Sequence, residues 1–255
     1  MWKRDENGVL HVIALSGGHD STALAFLLKD REPRPYNYVC TPTGDELPEM
    51  FAHWRNLGER LGSLLYPMSR KTLDTVIREQ KTLPNFRIRY CTRILKIEPY
   101  REFLEEQAKI GPVVSYVGLR YDEPGRAGGA YSDIEGVTMR FPLREWEMDE
   151  DKVQDTLRHY GITCPDRTDC AVCYHQRIGE WWELWANHPD KFEAGCQIEE
   201  EFSQTFRTPG RDTWPSSLRE MGKRFAAGDK PTISLNRMKR ERETQKSGTC
   251  RVCSL

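Results

Sequence analysis

The chain has 255 residues, 38% of them hydrophobic, with 38 Lys and Arg against 39 Asp and Glu, so it is long enough to bury a full core in one large or two small domains. No window approaches the roughly 18 to 20 uninterrupted apolar residues of a membrane helix, and the opening Met1 to Glu6 lacks the apolar core of a signal peptide. These features exclude a membrane-spanning chain and lead us to expect a soluble cytoplasmic protein, whose eight cysteines serve as metal ligands, redox thiols or buried apolar residues rather than structural disulfides.

In chain order, the run 8–15 is short, β-branched and apolar and ends in Ser16-Gly17-Gly18, so it reads as a buried strand feeding a turn. Residues 21–29 follow as a helix. A second unit pairs a strand over 36–40 with a helix over 48–61, whose Met50, Trp54, Leu57 and Leu61 share a face. Residues 64–66 form a weak third strand, 73–80 a short helix, 94–109 an amphipathic helix, and 113–119 a central strand ending in Arg120. Beyond Pro142 come a helix over 149–160, a cysteine-bearing loop, a Trp-rich helix over 177–187 and then irregular sequence.

Alternating strands and helices imply an α/β fold, a doubly wound parallel sheet with a C-terminal, mostly helical, cysteine-bearing region. Ligands of such sheets bind beyond the carboxyl ends of the strands, where Ser16-Gly17-Gly18, Thr43-Gly44-Asp45 and Leu119-Arg120-Tyr121-Asp122-Glu123 all fall. The expected organisation is a nucleotide-binding domain over 1–145, a helical cysteine subdomain over 146–229 packed on it, and a basic tail over 230–255. No internal repeat is present.

A strand, glycine turn and helix carrying Ser-Gly-Gly-X-Asp-Ser can hold phosphate for physical reasons. Gly17 and Gly18 let the backbone approach an anion, the hydroxyls of Ser16, Ser21 and Thr22 donate, and the next helix aims open amides and its positive dipole end at the ligand. Asp20 is placed to hold a loop amide or a Mg²⁺ ion. The bland alternative is a plain strand-to-helix turn.

Leu15 to Ser21 closely resembles the PP-loop of ATP pyrophosphatases, in the phosphoadenosine-phosphosulfate (PAPS) reductase-like superfamily of adenine nucleotide alpha-hydrolase-like folds. That group covers sulfate adenylyltransferase small subunits, tRNA thiolation enzymes, DNA phosphorothioation proteins and sulfonucleotide reductases. Thr43 to Met50 and Gly118 to Ala127 resemble two further segments of the superfamily, so the likeness spans about residues 9–175. It implies that Ser16, Gly17, Gly18, His19, Asp20, Ser21, Thr22, Thr43, Gly44, Asp45, Gly118 and Arg120 hold ATP or another adenine nucleotide, with the base along the sheet edge near Val39 and Cys40. It also implies catalytic roles for Asp20, Arg120 and Arg126, the arginines clamping phosphate or sulfate oxygens bidentately. Asp45, Asp122 and Glu123 then bind a metal such as Mg²⁺ or orient loops. His19 stands where the family often has lysine, which makes phosphate pairing there pH dependent.

Cys164, Cys170 and Cys173 place three thiols within ten residues, and a Cys-X-X-Cys pair can chelate one metal or cluster. The natural fourth ligand is Cys91, in a segment resembling the cysteine-led helix start, followed by Lys and Pro, of [4Fe-4S] members of the superfamily. We expect a [4Fe-4S] cluster, with Zn²⁺ the alternative, on Cys91, Cys164, Cys170 and Cys173; four thiolates accept either. Cys250 and Cys253 form a second Cys-X-X-Cys, and an exposed thiol beside Arg251 would act as a nucleophile or persulfide carrier, which makes Cys253 a catalytic candidate. Cys40 and Cys196 are expected to be structural. Trp181, Trp182 and Trp185, beside Tyr174 and Phe192, are expected to pack over the cysteine loop rather than to stack on bases.

Charge is uneven along the chain. Residues 207–251 carry twelve Lys and Arg against five Asp and Glu, whereas 180–201 carry seven acids against Lys191. The basic end fits a polyanionic partner or a solvated tail. Three functions follow: ATP-dependent adenylation coupled to sulfur transfer, with a nucleic acid or a sulfur-donor protein as partner; a sulfonucleotide reductase; or a non-catalytic nucleotide-binding module. A homodimer is an open expectation.

Overall fold

Alternation along β1 (Leu10–Ala14) sorts the core into two layers. Leu10, Val12 and Ala14 pack on one side with Val39, Val113 and Val117, while Ile13 and Leu15 pack on the other with Tyr38 and Tyr116, as a side-chain period of two requires. The structure is a computed structural model that describes residues 2–126 and 131–231. With β2 (Asn37–Cys40), β3 (Leu65–Pro67), β4 (Val113–Tyr116) and β5 (Val137–Arg140), β1 forms a five-stranded sheet of order β3-β2-β1-β4-β5 in which every neighbouring pair is parallel. The chain is thus the doubly wound α/β sheet expected. Because β2 and β3 extend one way from β1 and β4 lies on its other side, the order reverses between β1 and β4, and a crevice opens beyond their carboxyl ends.

Helices cover both faces. α1 (His19–Arg31), α2 (Pro48–Leu61) and α7 (Glu150–His159) bury the side of Ile13. The opposite side is covered by the helix over 90–108, which begins as α4 (Tyr90–Thr92), passes through a π turn (Arg93–Ile97) and continues as α5 (Glu98–Ala108). α2 and α3 (Leu73–Gln80) have the bounds read from the sequence.

Two expectations are corrected. β5 was not anticipated: it is an edge strand of four residues, and only Val137 in it is buried, which leaves little periodicity to read. The segment read as irregular after residue 187 contains α9 (Pro189–Phe202) and α10 (Leu218–Ala226), beside α8 (Ile178–Asn187) and the short α6 (Pro142–Glu145). The inner face of α9 carries Gly195 and Glu199 besides Phe192 and Cys196, so its apolar stripe is broken. A Cβ on Gly195 would stand 2.8 Å from Val172 and 2.9 Å from Leu218, and the glycine lets α9 lie close on the cysteine loop.

A third hydrophobic cluster joins Leu73, Val76, Tyr90 and Leu95 to Cys170–Tyr174, Trp181, Phe192 and Phe225. The tryptophans therefore pack over the cysteine loop, Trp181 fully buried and Trp182 and Trp185 partly so. Packing does not part at residue 145, since α7 lies on α1 against the sheet while α3 joins the C-terminal helices. Among the described residues, no helix is long and apolar enough to cross a membrane.

Glu199 ties this region together, accepting hydrogen bonds from Phe206 N at 2.9 Å and Leu218 N at 2.7 Å. Burial pushes its carboxyl up to about 7, against the two amides that pull it down. A raised carboxyl stabilises the fold fully below its unfolded value near 4.5 and loses that contribution as pH rises through about 7. Chemical denaturation between pH 4.5 and 8 is expected to show a loss on the order of 2–3 kcal/mol from this group that Glu199→Gln flattens. Identical pH profiles for the two proteins would contradict it.

Candidate functional site

The reversal point brings the loop after β1 and the loop after β4 together. Gly118 follows β4, and a Cβ there would stand 3.0 Å from Asp20 C and Ser21 N, so the second loop lies directly on the first turn of α1. Gly17 adopts φ +86°, and its Cβ would meet Met50 Cε at 2.2 Å and Trp54 Nε1 at 2.7 Å. From the other side α2 holds the turn: Trp54 Nε1 donates to Ser16 O at 3.1 Å, and His53 Nε2 lies 3.1 Å from Gly17 O. Burial lowers the His53 pKa, which favours a neutral ring donating Nε2–H to that carbonyl.

Within the turn, Ser21 Oγ accepts from Gly17 N at 3.1 Å and lies 2.9 Å from Ser16 Oγ. Thr22 N bonds Gly18 O at 3.0 Å, so the amides of His19, Asp20 and Ser21 precede the helical ladder, as the first donors of a helix do. His19 is exposed beside them. The chemistry of such a turn, first-turn amides at the positive end of a helix, is that of an anion site and does not depend on a lysine.

Arg120 does not stand open as a phosphate clamp. Its side chain is 8% exposed and sits among three carboxylates: Asp20 at 3.1 Å, Asp122 at 2.9 Å and Glu123 at 3.3 Å. Arg126 pairs with Glu123 at 2.6 Å. In place of the expected bidentate clamp, the guanidinium positions Asp20 at the start of α1. Burial pushes the Asp20 carboxyl up, and Arg120 pulls it down. Arg144, missed in the sequence, ties the same loop by donating to the carbonyls of Glu123 and Arg126, each at 2.6 Å.

The acids considered for a metal are occupied as loop organisers. Glu46, also missed, accepts from Thr43 N at 2.6 Å, Thr43 Oγ1 at 2.7 Å and Gly44 N at 3.0 Å. Asp45 accepts from Val172 N at 3.2 Å, and its carbonyl takes Ala171 N at 2.6 Å. Thr43 Oγ1 lies 3.2 Å from Cys170 Sγ, so the loop after β2 grips the cysteine loop.

Two cavities lie side by side at this end of the sheet. One runs along Leu15, Ser16, Val39, Cys40 and Thr41, where the adenine was expected, and Thr168 of the cysteine loop reaches over it. The other is walled by Cys91, Cys170 and Cys173. Lys96, brought inward by the π turn and 8% exposed, lines both. A lysine within the apolar run Ile94 to Ile97 was the signal available for it. Burial raises the thiols of Cys91, Cys170 and Cys173, and Lys96 opposes this at Cys91 and Cys170. His175 lines the same cavity, and its buried Nε2 has no hydrogen-bond partner.

Cys164 is not with them. It packs in the α1–α7 layer, its thiol facing Thr22, with burial raising it to about 11. It lines instead an open cleft of about 420 Å³ between α2 and residues 161–165. The four-thiolate set is therefore split three and one, and among the described residues no group of three or more His, Cys, Asp or Glu is arranged to hold a metal ion. Cys40 and Cys196 are buried free thiols, and Cys250 and Cys253 lie outside the described residues. Any iron or zinc that accompanies the purified protein is expected to survive Cys164→Ala and to fall in Cys173→Ala, as read by elemental and sulfide assay. Equal loss in both variants would return Cys164 to the ligand set.

Residues 10–164 match the family model described as the phosphoadenosine phosphosulfate reductase domain. The chain is 24% identical over 206 residues to the uncharacterized protein MJ0066 of Methanocaldococcus jannaschii, an alignment covering 76% of this chain and 42% of that protein. It thus spans less than half the length of that curated relative. Similar solved structures include the phosphoadenylyl-sulfate reductase of Candida auris in a phosphate complex, at 13% identity and TM-score 0.47 over 60% of this chain and 74% of that one. The NH3-dependent NAD synthetase of Campylobacter jejuni, with nitrate, gives 13% and 0.43 over 88% of each chain. The U34-tRNA thiolase NcsA of Methanococcus maripaludis, with its [4Fe-4S] cluster, gives 16% and 0.44 over 88% and 83%.

Proposed function

The chain belongs to the phosphoadenosine phosphosulfate reductase domain family, and on that premise we propose that it is an enzyme that adenylates an acceptor with ATP and couples this to sulfur transfer. The supporting observation is the adjacency of the two cavities: Lys96 lines both, so the buried thiols stand one side chain away from the phosphate loop. A purely nucleotide-binding module has no need of that arrangement.

The β- and γ-phosphates lie on the open amides of residues 19–21 and the hydroxyls of Ser16 and Ser21, and the base lies along Val39 and Cys40. An acceptor oxygen attacks the α-phosphorus, the bond to the bridging oxygen breaks, and pyrophosphate leaves. A sulfur nucleophile then displaces AMP. The fixed dipoles of the turn act where charge accumulates on the leaving pyrophosphate, and Asp20, held by Arg120, keeps the first turn of α1 in register. The acceptor class in this reading is a nucleic acid, in keeping with the basic excess over 207–251. A [4Fe-4S] cluster or Zn²⁺ would be held through the thiols of Cys91, Cys170 and Cys173, which line one cavity.

Incubation with ATP, Mg²⁺, sulfide and a mixed pool of RNA is expected to yield AMP and pyrophosphate in equal amounts. Release of sulfite from a sulfonucleotide, with ATP left intact, would replace this reading with the reductase.

A further inference from the structure

The loop between α3 and α4 presents Phe86 and Ile88 at 49% and 47% exposure. The two side chains are near neighbours on one exposed loop. Phe86 is also held in place. Its ring stands edge-on to Tyr174 at 5.3 Å and to His175 at 4.8 Å, and the Arg211 guanidinium lies 5.9 Å from its centroid.

Arg87 and Arg89 are exposed on the same loop. Whereas nearby Arg78 and Arg93 are paired with carboxylates, no ion pair joins Arg87, Arg89 or Arg211 to an acid among the described residues. Pro84, Tyr174 and His175 at the foot of the loop also line the thiol cavity. Phe86, Arg89 and Arg211 thus stand beside Tyr174 and His175 at the cavity that holds Cys91, Cys170 and Cys173, Arg89 hydrogen-bonded to Tyr174 and Arg211 next to Asp212, with Arg87 exposed on the same loop.

We propose that this surface docks an unpaired stretch of nucleic acid, with a base stacked on Phe86 and phosphates on Arg87, Arg89 and Arg211. The inference rests on the nucleic-acid acceptor of the proposed function and adds where that acceptor lies. The charge selects the occupant: a polyanion matches three arginines, while a protein partner wants a broader apolar core than two half-exposed side chains. Arg211 lies within the segment of basic excess, residues 207–251, so the same polarity continues along the chain.

The test is fluorescence anisotropy of the full chain with a labelled 12-nucleotide single-stranded RNA, alongside ATP binding to each variant. Phe86→Ala is expected to weaken RNA binding about tenfold with ATP affinity unchanged. The double variant Arg87→Gln/Arg89→Gln is expected to lower the slope of log affinity against log salt by about 1.4, two phosphate contacts' worth. Arg34→Gln, near the amino end of β2, should change neither. RNA binding that persists unaltered in the loop variants would overturn the docking surface and leave the acceptor reading standing. No RNA binding by a protein that still binds ATP would overturn both the docking surface and the nucleic-acid acceptor.

Discussion

Arg120→Met is expected to destabilise the protein by about 3–5 kcal/mol, the usual cost of removing one partner from a buried charge cluster. The guanidinium has Asp20, Asp122 and Glu123 within 3.3 Å, and Glu123 is itself only 3% exposed. Methionine fills much of the volume but leaves carboxylates facing one another with Arg126 alone to offset them. Burial then pushes Asp20 toward protonation once the cation that pulls it down is gone. Urea denaturation at pH 7 measures the loss. A second variant sharpens it: Asp20→Asn combined with Arg120→Met should cost less than the sum of the two single changes, because the pair is lost only once. Additive effects, or a loss below about 1 kcal/mol, would mean that the cluster is a solvated surface network.

Gly17→Ala is expected to reduce ATP affinity at least tenfold and stability by about 2–4 kcal/mol, combining overpacking with a left-handed backbone that a Cβ disfavours. Met50 can swing its terminal methyl away from the new carbon. Trp54 cannot move as cheaply, because its indole N–H holds Ser16 O. Displacing the indole therefore shifts the turn whose amides form the anion site. Gly18 provides the contrast. Its φ is −73°, and its Cβ would find only ordinary contacts, Ser16 Oγ at 3.6 Å and Thr168 Oγ1 at 3.8 Å. Gly18→Ala is expected to keep the fold and most of the nucleotide affinity. Calorimetric titration of both variants with ATP checks the pair of statements, and equal losses would contradict them.

The sequence treats these two glycines alike, which shows where reading by pattern stops. Elements with strong periodicity and clear ends, such as α2 and α3, were legible to the residue, as was the parallel alternation that yields the sheet. β5 and α9 were not, because an edge strand and a helix resting on Gly195 and Glu199 lack the apolar repeat. The phosphate loop was legible because backbone chemistry fixes its composition. Arg120 and Cys164 were legible as candidates, but their company was not. The three carboxylates around Arg120 come from the first turn of α1 and the loop after β4, a hundred residues apart, and Cys164, six residues before Cys170, belongs to a different layer of the core. Lys96 depends on a π turn, whose extra residue per turn rotates it away from the face that a regular helix would assign it.

We propose that an adenine nucleotide is seated at the reversal point of the sheet. A crystal structure of the protein with the non-hydrolysable α,β-methylene analogue of ATP tests it most directly. We expect the triphosphate against the amides of residues 19–21 and the adenine along Val39 and Cys40. A nucleotide found instead in the cleft between α2 and residues 161–165, with the turn from Ser16 to Ser21 empty, would contradict it.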